Sequence, residues 1–225
     1  MKRAYLSVFT FIILFIGGCG LMGDKDISKM DPKDLPEVTA FQDEFTREFM
    51  TSTEEVEEGY YLFESKTGGY TMWYPEEATM DKHFYERKKK HFERLQFAED
   101  NDTNSTPYYV VATYDHSQST QDVDILLHLL SSSINYEGDY EKLEHQGYTI
   151  YFATSEYTTK DKRTTWYRFF GLIKDKNQSL EYTYNVQCKD QPENCSYDLE
   201  AIEQRVKDIM KSVEFKDVEL EEGQN

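Results

Sequence analysis

Arg87, Lys88, Lys89 and Lys90, with His91 and Arg94 just beyond, form the one dense basic cluster in a chain of formal net charge −18. Cationic side chains at this density suit phosphates, whether of teichoic acid or of lipid headgroups. The same side chains could equally pair with the abundant Glu and Asp on a solvated surface, and the sequence leaves both readings open. The five histidines, His83, His91, His116, His128 and His145, are scattered. No two have the spacing with which a helix presents a pair of imidazoles to a metal. Asp100, Asp102 and Asn104 match the first three ligand positions of a calcium loop. Such a loop then needs Gly at its sixth position and Glu at its twelfth, where this chain has Ser105 and Val111. No metal and no cofactor are expected.

Lys66-Thr67-Gly68 reproduces the K-T-G strand triplet of penicillin-binding proteins, but those enzymes also need Ser-x-x-Lys, and no serine here has Lys three residues on. The triplet therefore reads as a turn. Neither G-x-S-x-G nor a phosphate-binding glycine loop occurs. No catalytic residue is assigned.

The three cysteines divide unequally. Lys2 and Arg3 precede an apolar run from Ala4 to Ile16, and Ile16-Gly17-Gly18-Cys19 follows. A basic start, a short apolar stretch and small residues before a cut describe an export signal. The run is too short for a span, which takes roughly 20 residues. Cys19 after the small pair resembles the lipobox of bacterial lipoproteins, which implies diacylglycerol on its sulfur, cleavage after residue 18, and a stable two-chain anchor. Cys188 and Cys195 remain, outside the membrane, where disulfides persist. They enclose a polar, Pro-containing turn. A bridge there would contribute about 2–3 kcal/mol in the chain-entropy view. Two free thiols are the alternative.

Loss of Lys2 and Arg3 would take the net charge from −18 to −20. Such a chain is a poor nucleic-acid ligand, because phosphates must be neutralised by a basic face. Hydrophobic residues are only 38% of the chain, yet it has 18 Tyr and 14 Phe. Aromatic side chains bury large areas, so they can build a core from few positions. Whether some of them also form an exposed binding surface is not decided by composition.

The elements that must position these residues follow from periodicity. Residues 19–37 are rich in charge, Gly and Pro, and predict a tether after the lipidated cysteine. Val38, Phe41, Phe45 and Phe49 predict an amphipathic helix to about Met50. Tyr60–Ser65 and Tyr70–Tyr74 around Lys-Thr-Gly-Gly predict a hairpin. Strands are expected near 93–97 and over 108–114, 148–153, 165–173 and 180–186, and helices over 121–135 and 197–212. The stretch 80–91 is ambiguous, 99–107 reads as a loop, and 218–225 is an acidic tail. The expected object is one α+β domain over 38–217, with a single antiparallel sheet flanked by helices.

This order resembles the PsbP/Mog1-like fold, an α/β/α sandwich. The opening Gly-Tyr-Thr-Met-Trp-Tyr-Pro (69–75) and the closing Ile-Met-Lys-Ser-Val-Glu-Phe (209–215) carry the resemblance, over about 59–215. With the lipobox included, the chain resembles the YvcA-type lipoproteins of Bacillus-like bacteria. The resemblance implies a non-catalytic binding or accessory module on the outer face of the cytoplasmic membrane. Its partner would be an envelope protein or an anionic wall polymer. The alternative is an envelope-acting hydrolase with an acidic site.

Overall fold

The computed structural model describes residues 26–99, 107–117, 122–188 and 197–219. Cys19, the export signal, the calcium-like loop and Cys195 therefore lie outside the described residues.

The hairpin forms where expected, as β2 (Tyr60–Glu64) and β3 (Tyr70–Pro75), with Gly68 at φ +73 in the turn. It does not join a single sheet. β1 (Met50–Glu57) pairs with β2, and the short β12 (Glu214–Phe215) pairs with β3, which makes a four-stranded sheet. A second, larger antiparallel sheet contains β4 (Thr79–Met80), β6 (Phe92–Glu99), β7 (Tyr108–Asp115), β11 (Gln178–Cys188), β10 (Thr165–Asp175), β9 (Tyr148–Thr158) and β8 (Glu141–His145) in that spatial order. The small β5 (Glu86–Lys88) hangs from β6. The single-sheet expectation is thus corrected to two sheets.

Burial explains the stacking. Tyr70, Met72 and Tyr74 of β3 point to one face of the small sheet, while Tyr114 and Phe97 point to one face of the large one, and all five are fully buried. Tyr70 stacks on Tyr114 at 5.3 Å, and Tyr74 meets Phe97 at 4.9 Å. Two sheets that each have an apolar face bury both by stacking face to face, which edge pairing would not do.

The amphipathic helix expected over 38–50 is also corrected. It breaks into two single turns, α1 (Thr39–Gln42) and α2 (Glu44–Arg47). Asp43 is extended between them, and its carboxylate accepts from the Thr46 amide and hydroxyl. An Asx cap of this kind offers the backbone an alternative to continuing the helix. Residues 26–37, which the charge pattern assigns to the tether, are packed on the domain. Two 3₁₀ turns, Ile27–Lys29 and Pro32–Asp34, dock against the domain, with Ile27 and Leu35 buried.

Helices α3 (Val123–Ile134) and α4 (Leu199–Lys211) take opposite sides of the large sheet. Leu130 of α3 packs with Ala153 and Phe170 on one side. On the other, Val206, Ile209 and Met210 of α4 join the main core beside the small sheet. Gly171 of β10 permits that approach, because a Cβ there would collide with Met210 and the Tyr151 carbonyl. The C-terminal helix, the middle helix and the three longest strands, β9, β10 and β11, form where periodicity places them, and each of the three strands runs further than expected.

Candidate functional site

α4 has its apolar stripe on the core, and Arg205, Asp208 and Ser212, three and four residues apart, share one flank of it. They line one wall of an open groove of about 820 Å³. Tyr60 of β2 and Trp73 of β3 supply the facing wall; His145 and Gln146, in the turn between β8 and β9, close one end, and Glu57 and Glu58 rim it. Gln146 and Gly147 both have positive φ, which a tight turn between antiparallel strands requires.

Side chains in the groove are held by neighbours that still leave faces open. The Tyr60 and Trp73 rings lie 5.6 Å apart, tilted by 37°. The Arg205 Nε donates to the Tyr60 hydroxyl at 2.8 Å, and its guanidinium lies 5.3 Å from the Tyr108 ring and 3.7 Å from a Glu99 carboxylate oxygen. The Ser212 hydroxyl accepts from the Trp73 amide at 2.9 Å and donates to the Ile209 carbonyl at 2.6 Å. It is committed to backbone partners and is not set up as a nucleophile beside a base. Lys211 meets Asp208 at 3.3 Å. Glu57, Glu58, Asp208 and Glu214 set four carboxylates against Arg205 and Lys211. An aromatic pair beside charged donors and acceptors suits a polar ligand with one stackable face.

A second polar cluster is closed. Glu93 of β6 is fully buried beneath the basic hairpin. Its Oε1 accepts from the Lys66 amide at 2.9 Å and from the Tyr85 hydroxyl at 2.9 Å. Its Oε2 and the buried Tyr70 hydroxyl have no partner among the described residues. Burial raises the Glu93 carboxyl above its ordinary range, against the pull of hydrogen bonds from Ser65, Tyr85 and the Lys66 amide and of the Arg87 charge.

A smaller cavity of about 430 Å³ lies where α3 leaves part of the large sheet uncovered, beside Arg94, Arg168, Glu181 and Asn185. Burial first, and the Asp115 charge second, raise the Glu181 carboxyl there, while Arg94 opposes them.

The sequence-predicted residues fall elsewhere. Arg87 and Lys88 lie on β5, Lys89 turns at φ +50, and all four of Arg87–Lys90 are exposed. Arg87 donates to the Lys66 carbonyl at 2.8 Å, and Lys88 pairs with Glu86 at 3.0 Å while lying over Phe92. They share a hairpin but not the groove. Cys188 is buried at the end of β11, and its expected pairing with Cys195 involves a residue outside the described ones. His128 is exposed on α3. Among the described residues no group of three or more His, Cys, Asp or Glu is placed to hold a metal. None of their helices is long and apolar enough to cross a membrane. Of the groove, Trp73 stood in the opening motif and Lys211, Ser212 and Glu214 in the closing one, while Tyr60 opened the predicted hairpin, but nothing in the sequence placed them together. Arg205 and Asp208 lay inside the predicted C-terminal helix and carried no reading of their own.

Comparison with known proteins gives one sequence family, described as "Putative lipoprotein YvcA", that matches residues 36–214. The protein of that name from Bacillus subtilis (strain 168) is 32% identical, over 96% of this chain and 97% of its own length. Among solved structures, a Bacteroides thetaiotaomicron protein matches 69% of the chain at 11% identity and a TM-score of 0.42; this chain spans about half of it, 48%. Mycobacterium tuberculosis LpqN, described as involved in cell envelope biogenesis, matches 70% of this chain and 91% of its own at 8% identity, with a TM-score of 0.37.

Proposed function

The chain belongs to the YvcA lipoprotein family, and from that premise we propose that it is a non-catalytic binding module, tethered through Cys19 to the outer face of the cytoplasmic membrane, which holds a neutral saccharide segment of the envelope in the groove along α4. The observation that carries the reading is the Tyr60–Trp73 pair set beside Arg205. Sugar rings offer one apolar face to an aromatic ring and hydroxyls to charged partners around it. The surplus of carboxylates in the groove disfavours a polyanion, so an anionic wall polymer fits the basic hairpin better than this site.

Titration of the protein with soluble glycan fragments of the wall, followed by NMR and tryptophan fluorescence, tests the reading. Saturable shifts at Trp73 and α4 that vanish in Trp73→Ala support it. Shifts that survive this substitution would place the ligand elsewhere. The four groove carboxylates also admit the hydrolase alternative, which requires chain cleavage: new reducing ends appearing with time, and lost on replacement of Asp208 or Glu214, would make the protein an enzyme.

A further inference from the structure

Phe84 is 60% exposed at the end of a 3₁₀ turn, Lys82–Phe84, that runs directly into the basic hairpin. From Lys82 to Lys90 the chain carries five Lys or Arg against one acid, Glu86, in a protein of net charge −18. Lys82, Phe84, Arg87, Lys88, Lys89 and Lys90 are all exposed. An exposed aromatic ring among ammonium groups fits a headgroup layer, which takes the ring at the acyl boundary and pairs the cations with phosphates.

The path of the chain says which surface lies near. Only six residues, 20–25, separate Cys19 from Asp26, where docking begins. Seven Cα steps span at most about 25 Å, whereas a domain of this size is about 40 Å across. The face that carries the first docked turn therefore stays close to the membrane. That turn, Ile27–Lys29, packs against α2. On α2 sits Phe45, with the Lys82 ammonium 5.6 Å from its ring centroid and the Tyr85 ring at 5.5 Å. The anchor point and the basic segment thus flank the same single turn of helix.

We propose that Phe84 and the Lys82–Lys90 segment form a second contact of the domain with the anionic lipid surface that holds its anchor. The contact rests on the lipid-anchored reading above. It fixes the orientation of a domain that the acyl chains alone would leave free to rotate. Near an anionic leaflet each basic side chain is worth about fivefold in association.

The test uses the mature lipoprotein reconstituted in vesicles of phosphatidylglycerol or of phosphatidylcholine. Flotation reads the anchor, and hydrogen exchange of backbone amides 82–90 reads the contact. The proposal expects flotation on both lipids, with protection of 82–90 on phosphatidylglycerol only. That protection should disappear at high salt, in Phe84→Ser, and in Lys89→Glu with Lys90→Glu. Exchange in β10 and β11 must stay unchanged in the variants as proof of fold. Flotation on both lipids with no protection on either overturns the contact and leaves the anchor standing. Flotation on phosphatidylglycerol alone, lost in the variants, supports the contact and rejects the anchor. Protection by a soluble poly(glycerol phosphate) but not by phosphatidylglycerol vesicles overturns the membrane in favour of a wall polymer.

Discussion

The Glu93 cluster and the groove are built from the same residue types, a carboxylate, tyrosines and a nearby arginine, yet they do opposite things. At Glu93 the protein itself supplies partners for one carboxyl oxygen, from the Lys66 amide and the Tyr85 hydroxyl, and excludes solvent from the rest of the cluster. In the groove, Arg205 is held by Tyr60 and Tyr108 while the remaining polar groups line an open space. The difference lies in access: the polar atoms of the groove face an open space that a ligand can enter, whereas those around Glu93 are shut off from it. A carboxylate among tyrosines is therefore not by itself a site, and the two regions should respond differently to the same kinds of substitution.

The largest effect is expected at the closed cluster. Glu93→Leu strands the Lys66 amide and the Tyr85 hydroxyl, and each buried unsatisfied donor costs about 1–3 kcal/mol. A loss of about 3 kcal/mol in urea or thermal unfolding is expected, with glycan binding unchanged in the folded fraction. A loss under about 1 kcal/mol would show that water already serves these donors, and the contrast with the groove would collapse.

Next in size is the link from Cys188 to Cys195, which we expect to be oxidised. α4 starts at Leu199, shortly after this loop, so a bridge would pin the start of the helix that walls the groove. Cys195→Ser should cost about 2–3 kcal/mol. It should also weaken groove binding without altering the pH response of Glu93. Unreduced peptide mass spectrometry decides the premise, since freely alkylated thiols in native protein reject it.

A dependence on pH separates the regions further. The Glu93 carboxyl is raised in the folded state, chiefly by burial. Folded protein then binds more protons than unfolded protein between the ordinary Glu value and the raised one. The contribution of Glu93 is thus fully present below about pH 4.5 and is lost as pH rises through the folded value. Glu93→Gln, which stays neutral, should gain on the wild type as pH goes from 4 to 8 in paired denaturation curves. Parallel curves at every pH would mean that Glu93 is ionised in the native protein.

How much of this was legible in the sequence depends on how local the cause is. The hairpin of β2 and β3, the pair β10–β11, and helices α3 and α4 are set by turn residues and apolar periods that lie within one segment. α1 and α2 read as one helix because the phenylalanine spacing is continuous through Asp43, and only the side-chain cap on Thr46 breaks it. β1 and β8 were missed because they lie mostly exposed and carry no alternation of apolar and polar residues. The second sheet was hidden because an apolar strand face does not say whether its partner lies beside it or above it. The groove was hidden for a related reason: Tyr60 and Trp73 of the β2–β3 hairpin, His145 and Arg205 come from three distant segments and meet only after both sheets and α4 have packed. The basic hairpin was visible because it is a single run.

The smallest expected effect on stability concerns Asp208 and Lys211, and it sharpens the comparison most directly. They pair at 3.3 Å on the rim of the groove, with both side chains partly exposed. Exposed ion pairs of this kind are worth about 0–1 kcal/mol, because solvent screens them and ordering two long side chains has an entropic cost. Asp208→Asn and Lys211→Gln should each leave the unfolding midpoint almost unchanged, within about 0.5 kcal/mol. A glycan that uses these groups should nevertheless bind more weakly in each variant. In the double variant the binding losses should not add, because the two side chains share one neighbourhood. If either substitution destabilises the fold as strongly as Glu93→Leu, the groove wall is structural in the same sense as the closed cluster. The open partners of its polar atoms would then have no functional meaning.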